Sequence, residues 1–147
     1  MTFEQAFKNI AQRETELQPV YRSLQSKTDD YKSKKVLSDL DKHISKDLKF
    51  IHEIKIKELK SGEWVSSFEM EQPGSEIPRY DGGVDETVNQ MIDSLLTYEK
   101  RLRVYYQRIK NSPLDAKTKR LFDDLARFKK IRIRQLEELK EEQGSIV

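Results

Sequence analysis

The chain has 147 residues, 37% of them charged, and its 28 lysines and arginines against 26 aspartates and glutamates leave a formal net charge of +2. That length suits one domain, and the absence of cysteine excludes disulfides, thiolate metal sites and a cysteine nucleophile. The richest cationic run, Arg127, Lys129, Lys130, Arg132 and Arg134, is followed at once by Glu137, Glu138, Glu141 and Glu142, so the sequence lacks the one-signed patch that phosphate binding requires. Neither a nucleic-acid nor a membrane partner is expected. No apolar run of about 18 residues occurs, and the opening Met1-Thr2-Phe3-Glu4 has none of the basic and hydrophobic regions of a signal peptide. A cytoplasmic location is the expectation.

The first helix is predicted from Phe3, Phe7, Ile10, Leu17, Tyr21 and Leu24, whose steps of three and four residues put them on one face. Glu14 falls in the middle of that stripe. Thr2 is placed to cap this helix, with Gln5 reaching back. Pro19 sits inside the stripe, where it removes a backbone hydrogen bond, and is read as a tolerated kink because Tyr21 and Leu24 stay in phase. Val36, Leu37, Leu40, Leu48, Ile51 and Ile54 give a second helix.

Ser61 to Val84 is rich in turn formers, Gly62, Pro73, Gly74, Pro78, Gly82 and Gly83. It also carries Trp64, Phe68 and Tyr80, which mark a crossover anchored on the bundle rather than a domain linker. The third helix follows from Val88, Ile92, Leu95, Leu102, Tyr106 and Ile109, with Glu99 inside the stripe and Asp85 as its predicted cap. The fourth opens at Ser112, Pro113 and Asp115, buries Leu121, Phe122, Leu125, Ile133, Leu136 and Leu139, and is expected to end at Gly144.

The second pair of helices repeats the first at one offset of 85 residues. Phe3 falls on Val88, Glu14 on Glu99, Tyr21 on Tyr106, Leu40 on Leu125 and Ile54 on Leu139. The expected fold is therefore all-α, a single four-helix bundle of two repeated antiparallel hairpins, residues 2–60 and 85–143, joined by the crossover 61–84. Each hairpin places a carboxylate in a stripe that should be buried. An isolated buried charge is very costly, so whatever faces Glu14 and Glu99 is the expected site.

Two hairpins joined by a crossover, a core glutamate followed seven residues later by tyrosine (Glu14 to Tyr21, Glu99 to Tyr106), and second helices carrying Leu37-x-x-Leu40 and Leu125-Ala126 resemble rubrerythrins and other ferritin-like di-iron proteins. The resemblance covers nearly the whole chain outside the crossover. It implies a ferritin-like bundle in which each second helix would supply Glu-x-x-His to two metals. Those positions fall here on Ile44 and Asp47 in the first hairpin and on Lys129 and Arg132 in the second, and no Glu-x-x-His occurs. Two of the replacements are cations, which would repel the metals they replace.

Glu14, Ile44, Asp47, Glu99, Lys129 and Arg132 are thus read as the positions of a lost metal site, filled by ion pairs. Glu99 should pair with Arg132, and Lys129 should lie between Glu99 and Glu14. Tyr21, Tyr106 and His43 are expected around them, with His43 one turn before Asp47. On the plainer reading Lys129 and Arg132 snorkel outward, His43 is a boundary residue and His52 is solvated. No cofactor is expected, and no catalytic residue is assigned. The function implied is that of a structural or interaction protein, the alternative being a rubrerythrin-like oxidoreductase holding iron or manganese on Glu14, Asp47, Glu99 and His43. Tyr31, Ile56, Trp64, Phe68 and Tyr105 exceed what the core stripes need, and a homodimer is expected from them.

Overall fold

A computed structural model of the chain describes residues 3–54, 77–83, 85–111 and 116–144, with first-helix side chains described from Phe7 onward. It contains four α-helices, α1 (Phe3–Lys27), α2 (Tyr31–His52), α3 (Val88–Lys110) and α4 (Ala116–Gly144), and no strand among the described residues. The expected caps at Thr2 and at Ser112, Pro113 and Asp115 lie outside the described residues, as do Ile56, Trp64, Phe68 and the side chain of Gln5.

The apolar stripes become the core. Ile10, Leu17 and Leu24 of α1 meet Leu37, Leu40 and Ile44 of α2, Leu95 and Leu102 of α3, and Leu125, Leu136 and Leu139 of α4, all essentially without exposure. Pro19 is exposed on the outer side of α1, and the helix runs unbroken through it. The lost backbone bond therefore falls where the carbonyl of the preceding turn can reach water.

Two helix starts are fixed by side chains. Asp30 adopts an extended backbone before α2 and accepts the Ser33 amide at 2.9 Å. At α3 the cap is Thr87 rather than the expected Asp85. Its hydroxyl accepts the Gln90 amide at 3.2 Å, while the Gln90 side chain accepts the Thr87 amide at 2.9 Å. This reciprocal capping box satisfies two orphan donors at once, which Asp85, two residues further out, does not do.

α1 packs on α2, α2 on α4, α4 on α3 and α3 on α1, so the helices stand in that order around the core. Lys27 at the end of α1 donates to the Glu86 carbonyl just before α3, at 3.2 Å. Gln143 at the end of α4 donates to Asp30 at 2.9 Å and to Ser33 at 2.7 Å at the start of α2. α1 and α4 therefore run one way, and α2 and α3 the other. His52 and Val88 consequently lie at opposite ends of the bundle, to be joined by the crossover.

Its last part lies against α3. The Tyr98 hydroxyl donates to the Pro78 carbonyl at 2.9 Å, and the Tyr80 ring meets Tyr98 edge-on, with centroids 5.7 Å apart. A Cβ at Gly82 would run into the Tyr80 phenol, which would have to move to admit it. No helix is long and apolar enough to cross a membrane among the described residues.

Candidate functional site

Glu14 and Glu99 sit on the buried stripes of α1 and α3, flanked by Ile10 and Leu17 and by Leu95 and Leu102. Both are 1% exposed or less. α4 supplies Lys129 and Arg132, one turn apart on its inner face and each 1% exposed. Asp47 enters from the edge of the α2 stripe and keeps some contact with solvent.

Lys129 reaches both glutamates. Its ammonium donates to Glu14 Oε1 and, at 2.9 Å, to Glu99 Oε1. Arg132 Nη1 donates to Glu14 Oε1 at 3.1 Å and Glu99 Oε2 at 3.4 Å, and its Nη2 donates to Asp47 Oδ2 at 2.8 Å. The two tyrosines complete the shell crosswise. Tyr21 of α1 donates to Glu99 Oε2 of α3 at 2.8 Å, and Tyr106 of α3 donates to Glu14 Oε2 of α1 at 2.6 Å. Every oxygen of the two glutamates is thereby engaged. Arg132 Nε is buried with no hydrogen-bond partner among the described residues.

The electrostatics follow from this packing. Burial pushes the Glu14 carboxyl upward, but the charges of Lys129 and Arg132, with the hydrogen bonds of Lys129 and Tyr106, outweigh it and hold the group below its ordinary value. Burial opposes the Arg132 charge too, yet Glu99, Glu14 and Asp47 together hold the guanidinium well above its usual range. Tyr21 and Tyr106 are raised first by burial and then by the adjacent glutamates, so both remain protonated donors. At Asp47 the balance tips the other way. Burial outweighs the Arg132 charge, and the carboxyl is raised.

Three carboxyls thus face two cations, and the third carboxyl lies at the edge. Its raised value, set by burial, distinguishes it from Glu14, which is held low. The reciprocal tyrosine bonds relate the two hairpins, whereas Ile44 against Lys129 and Asp47 against Arg132 separate them. Both cations come from α4 alone.

Of the other residues expected here, Ile44 is fully buried in the apolar core. His43 places Nδ1 3.3 Å from Gln135 Oε1, on the α2–α4 seam one turn from Asp47, and makes no recorded hydrogen bond or ion pair with a cluster carboxylate. His52 is exposed. Tyr31 is 81% exposed and Tyr105 half-buried against the core.

Sequence reasoning passed over Arg13, which is 8% exposed, pairs with Glu16 at 3.3 Å and leaves Nε buried without a partner among the described residues. It also passed over Ser33, fully buried beneath Gln143. The signal for Ser33 was available, because Thr118, 85 residues on, is a second buried hydroxyl at the equivalent place.

A metal ion between Glu14 and Glu99 would have to displace the Lys129 ammonium and would then face the Arg132 guanidinium. Among the described residues no group of three or more histidines and carboxylates is arranged to hold a metal. This donor set does not fit a di-iron centre. What the arrangement does chemically is hold four helices in one register through charge-assisted hydrogen bonds. No family model, curated protein or solved structure matches this chain.

Proposed function

We propose that the chain is a ferritin-like bundle that has given up di-iron binding and serves as a structural or interaction protein, with ion pairs where the metals would sit. The observation that carries this reading is the Lys129 ammonium lodged between Glu14 and Glu99 and bonded to both. The helix directions support it, since two antiparallel hairpins, with the end of the second helix and the start of the third at opposite ends of the bundle, fit the connectivity of that fold. Buried ion pairs of this kind need not stabilise the bundle more than apolar residues would. Removing one partner is what costs, because it strands a charge. Such a cluster specifies which helices meet and at what height, a role suited to a protein that presents surfaces rather than performs chemistry.

The test is thermal melting with added manganese or ferrous iron. A metal that binds only the folded state raises Tm with concentration. Wild type is expected to show no rise, whereas Lys129→Glu combined with Arg132→His, which restores a bridging carboxylate and an imidazole, should show one. A metal-dependent rise in the wild type would replace this reading with a metalloprotein.

A further inference from the structure

The small net charge hides a sorting of charge along the bundle. From Lys100 onward α3 carries Lys100, Arg101, Arg103, Arg108 and Lys110 and no carboxylate, while its first half carries Asp93 and the buried Glu99. α4 is divided in the opposite order. From Ala116 to Arg134 its only acids are Asp123 and Asp124 among many cations, and from Glu137 to Glu142 four glutamates flank a single lysine. Because α3 and α4 are antiparallel, the two basic halves lie side by side, and the acidic end of α4 lies beside the half of α3 that exposes Asp93.

The boundaries coincide in height. Lys100 on α3 pairs with Glu137 on α4 at 3.8 Å, and Asp93 pairs with Lys140 at 2.8 Å. The first pair stands at the change of sign, and the second lies within the acidic end. Lys130, Arg134, Glu138 and Glu141 are exposed and form no ion pair among the described residues. Two of the few exposed large apolar side chains, Val104 at 52% and Ile131 at 45%, lie on these same two helices close to the boundary.

We infer that the outer face of α3 and α4 is the interface of an isologous dimer, in which two copies lie antiparallel and the basic half of each covers the acidic half of the other. A face that is basic at one end and acidic at the other is complementary to itself under a twofold rotation, the commonest symmetry of soluble oligomers. A polyanion could use only half of it and would meet repulsion at the other. The area suffices: α3 has 23 residues, which at helix rise makes a face roughly 35 Å long and about 20 Å wide across two helices, or about 700 Å² per copy, close to the standard interface of about 800 Å² per partner. Val104 and Ile131 fall within that area and supply an apolar contact among the charges. The inference is independent of what the buried cluster does.

Sedimentation velocity with charge-reversed variants tests it. Wild type should sediment as a particle of twice the 17.4 kDa chain mass, and its dissociation constant should rise at least about tenfold between about 50 mM and 500 mM NaCl, as exposed charges are screened. Lys130→Glu with Arg134→Glu, the acidic variant, puts two carboxylates into the basic half, and Glu138→Lys with Glu141→Lys, the basic variant, puts two cations into the acidic end, so that like charges meet across the twofold in either one. Each double variant alone should be monomeric, with the melting curve of a folded bundle, because all four side chains are exposed. Mixed in equal amounts, they should restore the dimer. A wild-type monomer at low salt overturns the inference. So does a mixture that stays monomeric or one that grows into open chains. A wild-type monomer whose binding to a duplex oligonucleotide is lost only in the acidic variant would assign the basic half to a polyanion instead.

Discussion

Replacing Lys129 with alanine removes the ammonium from between Glu14 and Glu99. Glu99 Oε1 is then left without a partner, and Glu14 Oε1 keeps only Arg132. An unpaired buried carboxylate can escape by taking up a proton, so the cost per group is capped by the work of protonation. With an unfolded value near 4.3 and about 1.4 kcal/mol per pH unit, that cap is about 4 kcal/mol at pH 7 and about 1 kcal/mol at pH 5. Arg132 can still serve one of the two glutamates, so the charge-dependent loss should approach one such cap. The lost lysine stem costs the same at both pH values, and the difference of about 3 kcal/mol isolates the charge.

The directions of the pKa shifts agree. In the wild type Glu14 is held low, so its stabilising contribution is present above its unfolded value and disappears as pH falls through the folded one. In the variant the stranded carboxyl is raised, and stability is lost as pH rises through its folded value. Both effects enlarge the gap between the two proteins with increasing pH. Urea unfolding followed by circular dichroism at pH 5 and pH 7 reads it. An equal loss at both pH values would refute the placement of Lys129 between the glutamates.

Tyr21→Phe and Tyr106→Phe should each destabilise by about 1.5–3 kcal/mol, the loss of a hydrogen bond to a charged group, and by similar amounts because their bonds are reciprocal; the same unfolding curves measure both. Asp47→Asn should stay within about 1 kcal/mol of wild type at pH 7, since asparagine can still accept from Arg132 and burial already opposes the Asp47 charge. A raised carboxyl contributes stability below its unfolded value and loses it as pH rises through its folded value, so melts at pH 4 and pH 7 should show the asparagine variant gaining on wild type at the higher pH. Pro19→Ala should stabilise by about 1–2 kcal/mol, restoring a backbone bond while giving the unfolded chain back some freedom. A rise of several degrees in Tm would register it.

The helices were legible because their apolar residues recur at three and four, and the core glutamates stood out as charges inside those stripes. Lys129 and Arg132 were reachable by carrying Ile44 and Asp47 forward 85 residues, which put them on an inner face that their chemistry alone would have denied them. The crosswise tyrosine bonds were not legible. They depend on α1 standing beside α3, and no local pattern encodes which helices are neighbours. The choice of Thr87 over Asp85 turned on where the backbone enters the helix, with Gln90 in reach to close the box. His43 turned on the rotation of α2, which aims it at Gln135 across the seam. The change of sign on α4 was visible in the sequence, as the run from Arg127 to Arg134 followed by Glu137 to Glu142, but its alignment with the change on α3 was not, because that needs the two helices to run in opposite directions.

The metal content of wild-type protein shows whether the buried ion pairs stand, as proposed, where a di-iron protein would hold metal. The protein should be purified without chelator from cells grown with added iron and manganese, and measured by mass spectrometry against protein concentration. With the cluster in place, far less than one metal ion per chain is expected, unchanged by further incubation with either metal. Stoichiometric iron or manganese that remains through purification would contradict it.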